Sequence, residues 1–491
     1  MIPFPPFQPD LHDWNLGRST IITNVRPTAD GYIPFRGPAA YSGALAAPCE
    51  GQFTAKDSSG NIYLFAATDD NLYKLNSSTY AWDDVSRGSA YTGGGSHWWF
   101  CQFGDHVIAV NGVDNVQTYQ LGVSALFGDL AGSPPVANGC AVVGDFLVLW
   151  YGRTVRWSGL NDHTYWTIGK KKSDLQVFPD GGDVRYVSSG EAHANHVGGG
   201  TIIQEGKIRQ MMFQPTSPAI FSFAIMESSR GSVSALSCGR IGARVFFLDE
   251  DGFYMWDGAQ AHPIGAEKVD RSFLKEVDSG DLANVQVAID AREKQVLWRY
   301  PTSAVSGATY SDRILCYDWQ LSKWTRVELD CEWIAPAATA GIDLDSIDGL
   351  GYNVDDFPGS FDDAWLKGGR PTLAVFTSAS ILAWLTGDTL EATLETNDVN
   401  IIPGRRATVH GWRPIVDTSA AAGTVGCAAT HSGTLDWNDE ATMSRDGRVY
   451  GRCDGLIHRF RLRIPAATEW AHVAGVSEAK GDMIIAQSGA Q

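Results

Sequence analysis

Short apolar runs separated by polar turn residues recur along most of this chain. The clearest example spans Arg244 to Phe273, where the apolar runs Val245 to Leu248 and Phe253 to Trp256 flank an acidic turn that ends in Gly252. Two runs of this length around a tight turn predict a β-hairpin, and a further turn leads to another short apolar step. The stretch therefore predicts a meander of three or four antiparallel strands.

Similar hairpins recur every ~40 to 50 residues, a spacing that is typical of repeat folds. The other turns lie near Gly60, Gly104, Gly144, Gly206, Glu293 and Ser380. A single meander cannot bury both of its faces, so neighbouring meanders must stack on one another. The pattern predicts an all-β fold with a β-propeller of about seven blades, in a range of six to eight.

The pattern changes twice, which divides the chain into three predicted regions. Residues 1–50 hold a Pro-rich arm and an extended segment in which Ile21, Ile22 and Val25 would supply the strand that closes the ring with the last blade. Residues 51–389 hold the propeller. Residues 390–491 contain short strands between Gly, Asp and Asn turns, which is typical of a β-sandwich.

The N-terminal arm has four prolines and no basic residue before Arg18, so it differs from a secretory signal. Such a segment predicts either an extended arm against a partner or a disordered tail. No apolar run reaches the ~18 residues of a membrane helix. The best candidate for a helix is DRSFLKEV, with Asp270 as its N-terminal cap.

The acidic balance of the chain is strong, with a formal net charge of −18. Residues 328–363 hold ten acidic residues and no Lys or Arg, and they predict an insertion in the propeller, much of it a long loop. Such a surface does not grip phosphates, although nucleic acid could slide past it. The candidate channel or interface residues in this acidic segment are Asp343, Asp345, Asp348, Asp355, Asp356, Asp362 and Asp363.

Basic residues gather in the predicted sandwich as Arg405-Arg406 and as the stretch HRFRLR at 458–463. Strand alternation places Arg459, Arg461 and Arg463 on one face, opposite an apolar row. This arginine row is either a solvated strand face or a docking surface for an acidic neighbouring subunit. All five arginines are candidate subunit-docking residues.

The sequence gives little sign of catalysis or cofactor binding. It has no GxSxG, phosphate-loop or HExxH motif. His193 and His196 form the closest histidine pair, and the stretch from Asp343 to Gly349 is one residue out of register with a calcium loop. We therefore predict no enzyme, no catalytic residue, no cofactor and no metal site.

The eight cysteines form no CxxC pair, and buried free thiols in a reducing cytoplasm are predicted. Three tryptophans, Trp82, Trp166 and Trp324, follow related sequence contexts. Each could open the outer strand of a blade and pack on the next blade. The alternative is a platform on which sugar rings stack.

Four stretches, roughly within residues 240–480, resemble a family of bacteriophage virion proteins. They are DGFYMWDGAQAHPIGAEKVDRSF, EKQVLWRY followed by RILCYDWQLSKWTRVE, FDDAWLKGGRPTLAVF and LETNDVNIIPGRRATVHGWRPIVD. More distantly, the architecture resembles the tail hub, or nozzle, proteins of short-tailed phages, also called packaged-DNA stabilisation proteins. The resemblance implies a structural subunit of a hexameric ring that extends and closes the DNA ejection channel below portal and adaptor.

The same resemblance implies the partners and the location of the protein. The partners would be further copies of the chain, the phage adaptor and portal proteins, a tail fibre or needle, and double-stranded DNA that passes without specific binding. The protein would be assembled in the bacterial host cytoplasm and would lie in the virion tail, without inserting into a membrane. The alternatives are a receptor- or glycan-binding tail protein and a tail depolymerase that uses paired carboxylates.

Overall fold

The computed structural model describes residues 1–11, 17–94, 97–189, 199–215, 217, 219–339, 371–431, 433–479 and 481–487. Over these ranges the protein is all-β, apart from a short helix α1 (Asp270–Glu276) and a 3-10 helix (Ser279–Asn284). The predicted fold class and the predicted helix are confirmed to this extent. No helix among the described residues is long and apolar enough to span a membrane.

Five short strands open the chain. They are β1 (Ile2–Pro3), β2 (Ile22–Thr23), β3 (Val25–Pro27), β4 (Tyr32–Pro34) and β5 (Ala39–Ala44). The first four pair with C-terminal strands or with each other, and both β2 and β5 also pair with strands of the repeated sheets described next.

Strands β6 to β25 form five separate four-stranded antiparallel sheets, in which each strand pairs with the next along the chain. The first sheet holds β6 (Gly51–Lys56), β7 (Ile62–Ala67), β8 (Leu72–Leu75) and β9 (Trp82–Asp84), and the second holds β10 (Trp99–Phe103), β11 (His106–Val110), β12 (Gln117–Gln120) and β13 (Gly128–Asp129). The third holds β14 (Gly139–Val143), β15 (Phe146–Tyr151), β16 (Thr154–Trp157) and β17 (Asp174–Val177), and the fourth holds β18 (Val184–Ser189), β19 (Gly199–Gln204), β20 (Ile208–Phe213) and β21 (Phe221–Glu227). The fifth holds β22 (Gly239–Ile241), β23 (Arg244–Asp249), β24 (Gly252–Trp256) and β25 (Ala261–Pro263).

Two further four-stranded sections share one long strand. They contain β26 (Gln286–Asp290), β27 (Gln295–Tyr300), β28 (Ser311–Asp318), β29 (Lys323–Ala337), β30 (Thr372–Thr377) and β31 (Ile381–Trp384). The first part of β29, up to Cys331, pairs with β28, and the second part pairs with β30. The five sheets and these two sections are called the seven units below, in chain order.

The seventh unit takes its fourth strand from the N-terminal region. Ala39 of β5 pairs with Trp384 of β31, and Ala40 pairs with Ala383. The sequence pattern assigns this role to Ile21, Ile22 and Val25, and the structure differs. Strand β2 lies instead between β29, to which it is parallel, and β32 (Ala392–Glu395) of the C-terminal region.

The predicted acidic insertion, 328–363, begins later than expected, because residues 328–337 belong to strand β29. Cys331 and Ile334 are fully buried there, and their burial fixes the strand. In the sequence, only the apolar residues that lie between the acidic ones indicate that residues 328–337 form a buried strand. The remainder of the insertion lies outside the described residues, apart from 338 and 339.

All seven predicted hairpins are antiparallel strand pairs in the structure. Four of them join the first and second strands of a unit, and three join the second and third. The hairpins that stand out in the sequence therefore occupy two different positions within a unit.

The C-terminal region continues with short strands that form sandwich-like sheets. After β32 these are β33 (Ala407–Trp412), β34 (Pro414–Val416), β35 (Ala422–Ala428), β36 (Asp436–Trp437), β37 (Ala441–Thr442), β38 (Val449–Gly455), β39 (Ile457–Ile464), β40 (Val473–Val476) and β41 (Ile484–Gln487). Strand β39 lies between β32 and β35, and β40 pairs with β1, β4 and β34. Fully buried Trp412, Phe460, Leu462 and Val473 belong to the core of this region.

The N-terminal arm packs against the C-terminal region of the same chain. Ile2 pairs with Val476, and the N–H of Phe4 donates to the carbonyl of Ala474 at 3.1 Å. Ile2, Phe4 and Phe7 are all buried. Over residues 1–11 the arm is therefore neither a disordered tail nor an arm free for a partner. The predicted boundaries at residues 50 and 390 stay predictions.

Helix α1 is capped from a distance. Asp270 is its first residue, but the carboxylate of Asp10 accepts hydrogen bonds from the backbone N–H groups of Arg271 (2.7 Å) and Ser272 (2.8 Å). The Asp270 carboxylate turns inward and accepts from the N–H of Phe253 at 3.2 Å. The predicted cap is therefore wrong, because Asp270 is buried rather than placed over the helix terminus.

Two of the eight cysteines depart from the prediction of free thiols. Cys427 of β35 and Cys453 of β38 form a disulfide, with their Cα atoms 5.9 Å apart. The other six are buried free thiols, as predicted. The two cysteines are 26 residues apart in sequence and belong to no recognisable cysteine motif. The disulfide therefore becomes evident only when the strands that carry them are known to be neighbours.

Candidate functional site

The first strands of the seven units surround one cavity of about 520 Å³, called the central cavity below. Each unit contributes residues from its first strand or from just before it. In chain order, examples are Phe53, Trp99, Val142, Tyr186, Cys238, Val287 and Ala335. Residues far apart in sequence therefore meet at this one place.

Aromatic rings form much of the wall of the central cavity. Trp99 is half-buried and makes edge-to-face contacts with Trp150 (5.7 Å between ring centroids) and Tyr186 (5.9 Å). Phe53 is stacked on Phe100 at 5.9 Å. These contacts hold the rings in fixed orientations.

The polar groups of the cavity wall are mostly engaged or unreactive. The amide of Gln286 donates to the carbonyl of Ile334 and accepts from the N–H of the same residue. Burial raises the pKa of the Cys140 thiol well above its usual value and that of Cys238 to about 12. These thiols stay protonated at neutral pH, so they are not activated nucleophiles.

A second, smaller cavity of about 140 Å³ is lined by charged residues. We call Glu50, His97, Arg299 and Glu332 the charged rim. Arg299 connects the two cavities, since its Nε donates to the Oε1 of Gln286 at 2.6 Å. Its Nη1 also donates to Ser311 at 2.8 Å.

The charged rim joins the first and seventh units. Oε2 of Glu332 accepts from the N–H of Cys49 (3.0 Å) and Oε1 accepts from the hydroxyl of Ser380 (2.9 Å). Nδ1 of His97 lies 2.6 Å from Oε2 of Glu50. Burial raises the pKa of Glu332 and lowers the pKa of Arg299.

Two carboxylates in one cavity are the arrangement that a depolymerase requires. Glu332, however, is 2% exposed, and both of its oxygens accept hydrogen bonds from the chain itself. The geometry of Glu332 is that of a structural carboxylate that ties β29 to the segment before β6. Within the described ranges, no group of three or more His, Cys, Asp or Glu residues is placed to hold a metal ion.

The predicted acidic site residues, Asp343 to Asp363, lie outside the described residues, and so do His193 and His196. The calcium-like stretch, Asp343 to Gly349, lies outside them too. These predictions stay predictions.

The predicted alternation of β39 is confirmed, because His458, Phe460 and Leu462 are buried while the three arginines are half-buried. The arginine row finds acidic partners on its own chain. Glu395 accepts from Arg459 (3.0 Å) and Arg461 (2.8 Å). Arg459 also pairs with Asp398, and Arg463 pairs with Glu391 and Glu440.

The other two basic candidates lie just before β33. Arg406 pairs with Asp454 at 2.9 Å, and Arg405 is exposed. Of the five predicted docking residues, four thus form ion pairs within the chain. Docking through any of them stays a prediction.

The three tryptophans are used for packing. Trp82 opens β9, donates from its ring N–H to Ser42 of β5 (3.1 Å), and packs on Phe376 of β30. This contact between the first and seventh units agrees with the prediction. Trp324 lies near the start of β29, whereas Trp166 lies in the connection between β16 and β17. Both are buried and therefore cannot stack on a sugar ring.

The central cavity and the charged rim were not predicted from the sequence. Glu50 directly precedes β6, the first strand of the first unit. His97 lies two residues before β10, the first strand of the second unit. Polar residues at this position in successive repeats are the signal that could have revealed the rim. This signal can be recognised only when the first strand of each unit is known. The predicted hairpins alone do not show which strand is the first.

Comparisons with known proteins add little. No family model matches the chain, and no curated protein matches it. One matching solved structure is the extracellular domain of a hybrid two component system from B. thetaiotaomicron, with a TM-score of 0.42 and 10% identity. The match covers 85% of this chain and 47% of that one, so this chain spans less than half of that length. The function proposed for the chain therefore rests on the resemblance of its sequence stretches and on its own geometry.

Proposed function

We propose that this chain is a structural virion protein that forms the tail hub, or nozzle, ring of a short-tailed phage. In this proposal the seven units are the blades of one closed propeller, and β5 completes the seventh blade. Copies of the chain form a hexameric ring below portal and adaptor, with a tail fibre or needle attached. The protein is assembled in the host cytoplasm and lies in the virion tail.

One observation carries the proposal, namely that the N-terminal strands connect the repeated units to the C-terminal sheets. Strand β2 pairs with β29 on one side and with β32 on the other, and β1 pairs with β40. These pairs join both regions through backbone hydrogen bonds. Such a connection suits a wall that must resist the pressure of packaged DNA without bending at a linker.

The dimensions of the central cavity support a particular path for the DNA. A cavity of 520 Å³ has the size of a small-molecule pocket, about 300 to 1,000 Å³. It cannot admit a duplex, whose major groove alone is about 12 Å wide. The channel of the proposed ring therefore runs between copies of a chain whose formal net charge is −18.

The test is electron microscopy of the purified protein and of intact particles. The proposal requires a ring at the distal end of a short tail, with a central opening wide enough for duplex DNA. Single copies or trimers at the tail periphery would favour a receptor-binding protein instead. A strictly monomeric protein, even when mixed with its adaptor ring, would contradict the hub.

A further inference from the structure

The central cavity differs in composition from the rest of the chain. None of the described residues that line it is charged, although 19% of the residues of the chain are Asp, Glu, Lys or Arg. Transfer of an ionised group from water to an uncharged site is costly. The wall therefore favours an uncharged occupant, in contrast to the charged rim beside it.

The aromatic rings of the wall offer flat apolar surfaces. Trp99 is half-buried, and the side chains of Trp150 and Tyr186 fix its orientation. On the neighbouring strands β6 and β10, the stacked pair Phe53 and Phe100 is half-buried as well. A flat ring that is partly open binds the apolar face of a second ring well.

Hydrogen-bonding groups of the backbone alternate with these rings. Strands β6, β10, β14, β18, β22 and β26 each end a sheet, so one edge of each has no ladder partner. The N–H of Trp98 donates to the carbonyl of Glu50, and that of Val287 donates to Leu236, each at 2.9 Å. A strand edge without a ladder partner presents N–H and C=O groups that can bond to a ligand.

We propose that the central cavity binds an uncharged saccharide, with one or two sugar rings against the aromatic side chains and the hydroxyl groups on the strand edges. Sugars combine apolar ring faces with many donors and acceptors, which is the combination that the wall offers. The volume of about 520 Å³ lies in the range of small-molecule pockets, about 300 to 1,000 Å³, which suits one or two sugar rings. The site is separate from Trp82 and Trp166 and is not required by the proposed hub.

The experiment is isothermal titration of the full chain with glucose, galactose, N-acetylglucosamine and maltose. Glucosamine and glucuronate, which carry a charge on a similar ring, serve as matched ligands. We expect saturable binding of at least one neutral sugar and at least tenfold weaker binding of the charged relatives. Adenosine is included as a neutral heterocycle, and its binding in place of every sugar would overturn the saccharide assignment.

Two variants locate the site. Trp99→Leu removes a ring of the wall and should weaken binding roughly 3- to 10-fold, in line with the value of an aromatic contact. Val142→Trp fills the cavity from β14 and should abolish binding, so it keeps the test decisive if Trp99→Leu fails to fold. Trp82→Leu is the control, since it replaces another half-buried tryptophan that does not line the cavity.

The outcomes separate clearly. Binding that is weakened by the two cavity variants and kept by Trp82→Leu supports the proposal. No saturable binding of any neutral sugar at millimolar concentrations overturns it, and so does binding that only Trp82→Leu abolishes. Each of these results is independent of whether electron microscopy shows a ring, so the hub and the sugar site can fail separately.

Discussion

Asp270 is a buried carboxylate whose ionisation is strongly affected by the fold. It is 7% exposed, and its carboxylate lies against Gly252 and Gly265, where no side chain would fit. Burial, together with the negative charges of Asp10 and Asp251, raises its pKa to about 7. In the unfolded chain the same carboxyl has a pKa of about 4. The folded protein therefore binds this proton more tightly than the unfolded chain.

We expect the free energy of unfolding to carry a contribution from Asp270 that falls as the pH rises from about 4 to about 7. In that pH range the folded state holds a proton that the unfolded state has lost. Raising the pH therefore lowers the free energy of the unfolded state more than that of the folded state, and stability falls. Asp270→Asn keeps an acceptor for the N–H of Phe253 and removes the charge. The loss of stability between pH 4.5 and pH 7.5 should then shrink by on the order of 3 kcal/mol.

The measurement is denaturant unfolding across this pH range. Asp145→Asn is the control, because Asp145 lies exposed in the turn between β14 and β15. Its pH profile should follow that of the unaltered protein. Identical pH profiles for Asp270→Asn and the unaltered protein would show that the raised pKa is not present.

Glu395 is the residue on which the arginine row depends. It is 1% exposed and pairs with both Arg459 and Arg461. Glu395→Gln leaves two guanidinium groups with less counter-charge in a partly buried place. We expect a loss of about 3 to 5 kcal/mol in the free energy of unfolding.

Glu391→Gln provides the matched comparison. Glu391 pairs with Arg463 at 2.9 Å, but both side chains are substantially exposed. Solvent screens such a pair, so the loss should stay below about 1 kcal/mol. Equal losses for the two variants in urea unfolding would refute the difference that burial predicts.

At the scale of elements, the arm strand β1 is expected to stabilise the strand it pairs with. Phe4→Ala removes a buried ring and should cost about 3 to 5 kcal/mol. Hydrogen exchange should also speed up in β40, because its N–H groups lose protection when the pairing of Ile2 with Val476 opens. Pro3→Ala, at an exposed position of β1, should leave both properties nearly unchanged. Unchanged exchange in Phe4→Ala would mean that the arm is free in solution.

The sequence allows the elements to be predicted better than their partners. Alternation and turn residues identified all seven hairpins, because these signals lie within about 15 residues of each other. Strand β5 has the sequence AAYSGA, which carries little apolar signal. It pairs with β31, over 330 residues away, and no local pattern records that pairing. The same reason explains why the central cavity, which needs all seven first strands, was missed.

For the whole molecule, the pairing of β5 with β31 decides whether the seventh unit is completed by a strand of the same chain. Ala40 and Ala383 face each other in the register of these strands. Opposite residues of antiparallel strands have Cα atoms about 4.5 to 5.5 Å apart, a separation that a disulfide can span. We expect the double variant Ala40→Cys and Ala383→Cys to form an intramolecular disulfide on mild oxidation.

Non-reducing electrophoresis measures this result, since an internally crosslinked chain migrates as a compact monomer. The control pairs Ala383→Cys with Ala46→Cys, an exposed position beyond the end of β5, and should not crosslink. Covalent dimers of the Ala40 variant, in place of monomers, would indicate that β5 is exchanged between copies of the chain.

The pairing of Ile2 with Val476 also has a consequence for synthesis on the ribosome. At about 5 to 20 residues per second, roughly 25 to 95 s pass between the emergence of the two strands. During that interval Ile2 and Phe4 lack the strand with which they pair in the folded protein. The nascent chain therefore exposes these apolar side chains until β40 emerges, and a chaperone that covers them should raise the yield of folded protein.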